Sequence, residues 1–177
     1  MTGADVSRVQ VPDIAVREVA WANEDAASLR EAQRAEITER YGSTDIEPGP
    51  APTASDITVF FVAYSPDGTA VGCGGLRQLS PTEAEVKRMF VVPSQRGTGV
   101  ATALLTAFED FGRARGYDRI VLETGSLQPD AIRFYEREGF TSIPNFGYYA
   151  GNEDSRCYEK PLFASDPAAE VSCESCQ

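Results

Sequence analysis

The 177-residue sequence contains no histidine. That absence excludes serine–histidine and cysteine–histidine hydrolase mechanisms, which need an imidazole to take and return a proton. A proton acceptor near neutral pH must then be a carboxylate, a shifted cysteine, lysine or tyrosine, or a chain of waters. Basic residues are scarce, 16 against 27 acidic ones, for a formal charge of −11. Such a surface repels nucleic-acid phosphates and anionic lipid and draws in cations such as amines. No apolar run approaches a membrane span, and residues 1–12 lack the blocks of a secretory signal. The expectation is a cytoplasmic protein with neither a nucleic-acid nor a membrane partner. Only four cysteines are present. Cys73 and Cys157 fall in strand patterns and read as small buried thiols, while Cys173 and Cys176 form a lone C-x-x-C. With no histidine, that pair cannot complete a four-ligand zinc site within one subunit, so no metal is expected.

What is present is one domain's worth of alternating patterns, expected over residues 12–163, with a disordered polar tail at 164–177. Residues 14–21 (IAVREVAW) alternate as a strand, and Asn23 or Asp25 can cap a helix running to Tyr41 and stopping at Gly42. Residues 43–56, with three prolines, read as a loop too polar for the core. Strands follow at 57–64, 70–79 and 83–92, the first two joined by the Pro66-Asp67-Gly68 turn. A helix over 97–115 places Val100, Leu104, Phe108 and Phe111 on one face. Then come a strand at 119–124, a helix at 129–138, and short strands at 141–143 and 156–160. The order β-α-β-β-β-α-β-α-β-β demands a mixed sheet and disfavours a doubly wound Rossmann fold. The Gly72-Cys73-Gly74-Gly75 run, inside a strand pattern, signals close packing or a bulge.

The segment from Val91 to Ala101, VVPSQRGTGVA, carries the most chemistry. A strand ends, Pro93 blocks its continuation, and a glycine-rich turn enters a long amphipathic helix. The outward N–H groups of a helix's first turn attract anions, and Gly97 and Gly99 leave the backbone open to close approach. This arrangement suits a phosphate or pyrophosphate. No G-K-[ST] supports a nucleotide-triphosphate loop, and no G-x-G-x-x-G follows the first strand.

Arg96-Gly97-Thr98-Gly99-Val100-Ala101 matches R-x-x-G-x-A, and Ala131 to Phe140 matches A-x-x-x-Y-x-x-x-G-F, with a strand between them. In this the chain resembles the GNAT superfamily of N-acetyltransferases, in its stand-alone bacterial form. The resemblance implies an α/β fold with a mixed, mostly antiparallel sheet of about seven strands, splayed in the middle and flanked by about four helices. It implies acetyl-CoA as co-substrate, its pyrophosphate on Arg96, Gly97, Thr98, Gly99, Val100 and Ala101, and its pantetheine arm along Met89, Phe90 and Val91. A main-chain N–H near Val91 would polarise the thioester carbonyl. An amine would attack directly, and the tetrahedral intermediate would expel CoA thiolate with Tyr135 as proton donor. Gln128 stands where many members carry asparagine, which puts a side-chain contact to the pantetheine arm in question.

Glu85, six residues before Val91 and on the same face by strict alternation, resembles the glutamate base of histone-acetylating members. It reads equally as a solvated strand glutamate paired with Lys87 or Arg77, with Glu123 the next candidate base and a water relay the third. The acceptor expected is a small-molecule primary amine. Protein lysines or N-termini and a non-catalytic acyl-CoA-binding module are the alternatives, and the sequence leaves a homodimer open. The aromatic segment 144–152 has the composition either of a substrate loop or of an ordinary hairpin connection.

Overall fold

The computed structural model describes residues 13–43 and 48–163. Strands β1 (Ala15–Glu18), β2 (Val59–Tyr64), β3 (Ala70–Ser80), β4 (Glu83–Val91), β5 (Arg119–Gly125), β6 (Thr141–Ile143) and β7 (Ser155–Pro161) form one sheet in the order β1-β2-β3-β4-β5-β7-β6. All neighbours are antiparallel except β4 and β5. Helices α1 (Glu24–Tyr41), α2 (Val100–Arg115) and α3 (Pro129–Arg137) complete the domain, with short 3-10 turns at Pro93–Gln95 and Gly147–Tyr149. Among the described residues there are thus three α-helices where the resemblance implied about four. Cys173, Cys176 and the expected tail lie outside the described residues.

Local chemistry sets the helix ends. The Asn23 side chain accepts from Ala26 N at 3.1 Å to start α1, and Gly42, at φ 69°, ends it. Leu29 and Ala26 of α1 cover one face of the sheet, against Phe60, Val62, Cys73 and Phe90. On the other face α2 buries Val100, Leu104, Leu105 and Phe108. Phe111, expected on that stripe, is only partly buried, while Gly112 is buried beneath Leu162. The glycines of β3 permit this contact. A Cβ on Gly72 would stand 2.8 Å from Val100 Cγ1, and one on Gly74 2.7 Å from Phe108 Cζ. Cys73 and Cys157 are buried thiols. In the loop before β2, Pro52 is buried, which corrects the reading of that loop as too polar for the interior; a proline has no N–H to leave unsatisfied there.

Two irregularities shape the centre of the sheet. First, β4 and β5 pair only at Glu83–Arg119, Ala84–Ile120 and Glu85–Val121. Beyond Glu85 they diverge, β4 staying with β3 as far as Val91 and β5 with β7 as far as Gly125. Second, Cys73 faces Phe90 but Gly75 faces Lys87, so Arg88 and Met89 together oppose Gly74. This is a β-bulge, and Arg88 takes φ 56°, the one positive φ outside glycine among the described residues. One extra residue reverses the alternation. Ala84 and Val86 before the bulge, and Val91 after it, all join the core beneath α2. Glu85 and Val91 therefore lie on opposite faces, and the expectation that they share one is corrected.

Candidate active site

The wedge between the diverging strands opens into two cavities. The first, of about 710 Å³, runs from the start of α2 to α3 and is bordered by Phe90, Val91, Arg96, Gly97, Gly99 and Ala101. Gly97 and Gly99 sit at φ 76° and 94°, and a Cβ on Gly97 would meet nothing within 4 Å. The N-cap Gly99 offers no side-chain cap, and no acidic residue occupies the first turn. The helix opens with the bond from Ala103 N to Gly99 O at 3.0 Å. Amides ahead of it have no partner within the helix and carry the positive end of its dipole. The donor set therefore fits a pyrophosphate.

Side chains brace this cradle rather than fill it. Arg96 donates through Nε to the Val91 carbonyl at 3.0 Å and through Nη2 to Glu36 of α1 at 2.7 Å, with its guanidinium 5.7 Å from the Phe90 ring centre. Thr98 Oγ1 donates to the Gln95 carbonyl at 2.7 Å. Val100 is wholly buried in the core.

The second cavity, of about 720 Å³, lies behind Met89 and includes Trp21, Arg30, Pro52, Lys87, Glu123 and Asp154 in its walls. Gln33, Met89, Gln128 and Tyr135 border both cavities. At this junction the Met89 carbonyl accepts from Gln33 Nε2 at 2.9 Å, and the Tyr135 hydroxyl lies 3.4 Å from Met89 Sδ. The Tyr135 ring packs edge-on against Phe134 and Phe140, with centroids 5.3 and 5.6 Å away. Burial first, and then the charge of Glu123, raise its pKa above the ordinary phenol range, so the hydroxyl keeps its proton. Gln128 is the N-cap of α3 but makes no capping bond. The structure thus brings Tyr135, Met89 and Gln128 together with the glycine cradle at one end.

Glu85 is elsewhere. It is fully buried, accepts from Arg77 Nε at 3.2 Å and Nη2 at 2.5 Å, and takes the Tyr149 hydroxyl on Oε1 at 2.6 Å. The Lys87 ammonium stands 3.6 Å away and donates to the Tyr149 hydroxyl at 2.9 Å. The pairing with Arg77 and Lys87 that the sequence offered for Glu85 is present, but the carboxylate is buried in the fold and not solvated, which corrects that part of the reading. Glu123, past the point of divergence on β5, borders the second cavity instead, and its charge raises the pKa values of Tyr135, Tyr149 and Cys157. The Tyr149 hydroxyl bridge has no signal in the sequence beyond an aromatic-rich loop. The polar stripe on α1, Arg30, Gln33 and Tyr41, is likewise hidden there, because a polar stripe on a surface helix looks solvent-facing in sequence.

No helix among the described residues is long and apolar enough to cross a membrane. A family model, Acetyltransferase (GNAT) family, matches residues 20–140. IAA acetyltransferase of Azospirillum brasilense is 40% identical over 103 residues, covering 58% of this chain and 67% of that one. A solved Klebsiella pneumoniae protein assigned as an acyl-CoA N-acyltransferase superposes with a TM-score of 0.72 at 29% identity, covering 85% of this chain and 99% of the other. The PaiA N-acetyltransferase of Thermoplasma acidophilum, solved in complex with coenzyme A, shares the fold with a TM-score of 0.63 at 19% identity, over 84% and 98% of the two chains. The family match takes in both α1 and the split between β4 and β5, and the chain belongs to the GNAT family as an acetyl-CoA-dependent N-acetyltransferase.

Proposed function

We propose that the protein acetylates a small-molecule primary amine, held in the cavity behind Met89 while acetyl-CoA occupies the cradle side. The observation that carries this reading is the junction itself. Two cavities of similar size meet where Tyr135, Met89 and Gln128 border both, so a thioester and an amine arriving from opposite sides come together there. The second cavity, at about 720 Å³ with loop residues Pro48, Ala51 and Pro52 in its wall, is scaled to a small molecule.

The reaction needs four services. The main-chain cradle at Gly97 to Ala101 neutralises and orients the pyrophosphate. The N–H near Val91 donates to the carbonyl oxygen as it gains charge. Glu123 takes the proton of the incoming ammonium, a role the sequence analysis gave first to Glu85; Glu85 is committed to Arg77 and Tyr149. The amine nitrogen then forms its bond to the acetyl carbon, the carbon–sulfur bond breaks, and Tyr135 passes its proton to the departing thiolate. Tyr135 regains a proton from the nitrogen, which leaves as an amide, so the products are N-acetylamine and CoA thiol. The name of the Azospirillum relative points to a small organic acceptor for that protein and supports a small acceptor here.

Thiol release from acetyl-CoA, followed across a panel of small primary amines and lysine-bearing peptides, tests the reading. Small amines should give the higher kcat/KM. Turnover confined to peptides would overturn it.

A further inference from the structure

Three buried side-chain polar atoms among the described residues meet no hydrogen-bond partner: Arg30 Nη1, Gln33 Oε1 and Tyr41 Oη. All three belong to α1 and border the cavity behind Met89. Positions 30, 33 and 41 fall on one face of a 3.6-residue helix, so they form a single stripe. A buried donor or acceptor left unmade is costly, and its gathering in one cavity points to a ligand that supplies the missing partners.

The chemistry of that ligand follows from the atoms. The Arg30 guanidinium lies 3.8 Å from the Trp21 ring centre and 5.3 Å from that of Phe60, which fixes its plane. Stacking of this kind leaves the N–H fork at the rim available to an anion, and a planar carboxylate is its natural complement. Gln33 has spent its amide N–H on the Met89 carbonyl, so Oε1 is oriented as an acceptor for an N–H at the cavity junction. Arg30 and Gln33 are one helical turn apart. The same cavity is also bordered by Glu123 and Asp154, carboxylates suited to an ammonium. It therefore offers a partner to a negative group and to a positive one, in a chain whose formal charge of −11 would otherwise disfavour any anion.

We infer that the cavity holds a carboxylate-binding subsite centred on Arg30, and that the acceptor is a free amino acid or a closely similar amino carboxylate. This rests on the small-amine reading above and narrows it. The carboxylate sits on Arg30, and the amine sits between Gln33 Oε1 and Glu123, facing the thioester. Arg34, Lys87 and Arg88 also border the cavity, but Arg34 pairs with Glu31 at 3.6 Å and Lys87 with Tyr149 and Glu85. Together with Arg88, whose charge acts on Arg30, they add to the positive field around it.

Binding tests this without turnover. N-acetyl amino acids with small, aromatic and acidic side chains, and the matching N-acetyl amino acid amides, are titrated calorimetrically into the CoA-saturated protein. A charge-assisted contact in a buried site predicts acids binding about 10- to 100-fold more tightly than amides. Arg30→Met, which keeps the length and apolar contact of the side chain, should reduce the acids to the level of the amides, and Arg30→Lys should restore part of the difference. Equal binding of acid and amide to the wild-type protein, or no binding of either, overturns the subsite; this comparison needs no variant to fold. Turnover of free amino acids and their amides is measured in parallel. Discrimination in binding with no acetylation of any amino acid would overturn the amino-acid acceptor, and turnover confined to peptides would overturn the small-amine reading as well. Acetylation of simple amines with no preference for a carboxylate would overturn the subsite and leave the small-amine reading in place.

Discussion

The cradle at the start of α2 and the cavity behind Met89 are nearly equal in volume, about 710 and 720 Å³, yet one is made of main chain and the other of side chains. The cradle depends on glycine dihedrals and outward amides within a few consecutive residues. The second cavity gathers Trp21, Arg30, Pro52, Glu123 and Asp154 from five separate stretches of the chain. A site built from backbone tolerates little change in sequence and is read there directly. A site built from side chains can change its occupant by exchanging a few of them, while the fold that assembles it stays the same.

Substitutions in the two regions should therefore fail in different ways. The largest effect is expected for Gly99→Asp. The residue sits at φ 94°, where an L side chain is strained, and a carboxylate there faces the pyrophosphate at the positive end of α2. Acetyl-CoA affinity should fall below calorimetric detection with the circular-dichroism spectrum unchanged. Retained affinity would place the co-substrate outside the cradle.

Glu123→Gln should leave acetyl-CoA affinity alone and lower kcat by about 10²–10³-fold at low pH, less as the free amine becomes abundant. Glu85→Gln is its control: it removes a charge from between Arg77 and Lys87 and should cost about 3 kcal/mol of stability in denaturant melts. If the two variants exchange these phenotypes, the base is Glu85. Tyr135→Phe comes next, with a loss of about 10²-fold in kcat and little change in Tm. Its hydroxyl makes a weak contact to a thioether, Met89 Sδ at 3.4 Å, so little packing depends on it. A large drop in Tm with normal turnover per folded molecule would make it a core tyrosine.

The last effect is confined to alkaline pH. Burial pushes the Cys73 thiol up from its ordinary 9.0 to about 12. The unfolded thiol loses its proton first, so the contribution is intact below about pH 9 and declines as pH rises towards 12. Cys73→Ala should flatten unfolding free energy against pH in that window. An unchanged slope would assign it to Tyr64, Tyr135 and Tyr149, whose pKa values are also raised.

How far the sequence carries depends on the same division. Element order, the stop of α1 at Gly42 and the glycine turn into α2 were legible because each rests on local propensity or a local dihedral requirement. The face of Glu85 was not, since counting by twos assumes an unbroken strand, and nothing in EVKRMF announces that Arg88 will take a left-handed conformation. The role of Pro52 in the interior was hidden behind its polar neighbours. Nor was the α1 stripe visible, because Arg30 and Gln33 have the composition of a solvated surface until Trp21 and the diverging strands are placed around them.

That stripe has a consequence for how α1 moves. Its buried residues are Ala26 and Leu29, both in the first half. From Arg30 onward the helix is tied down by polar contacts, Gln33 to the Met89 carbonyl and Glu36 to Arg96. Opening its last three turns breaks these ties and exposes almost no apolar core, so their amides should exchange with solvent at a far lower free-energy cost than those of α2. Arg96 joins this half of α1 to the cradle through Glu36, so acetyl-CoA bound at the cradle should slow the exchange of those amides.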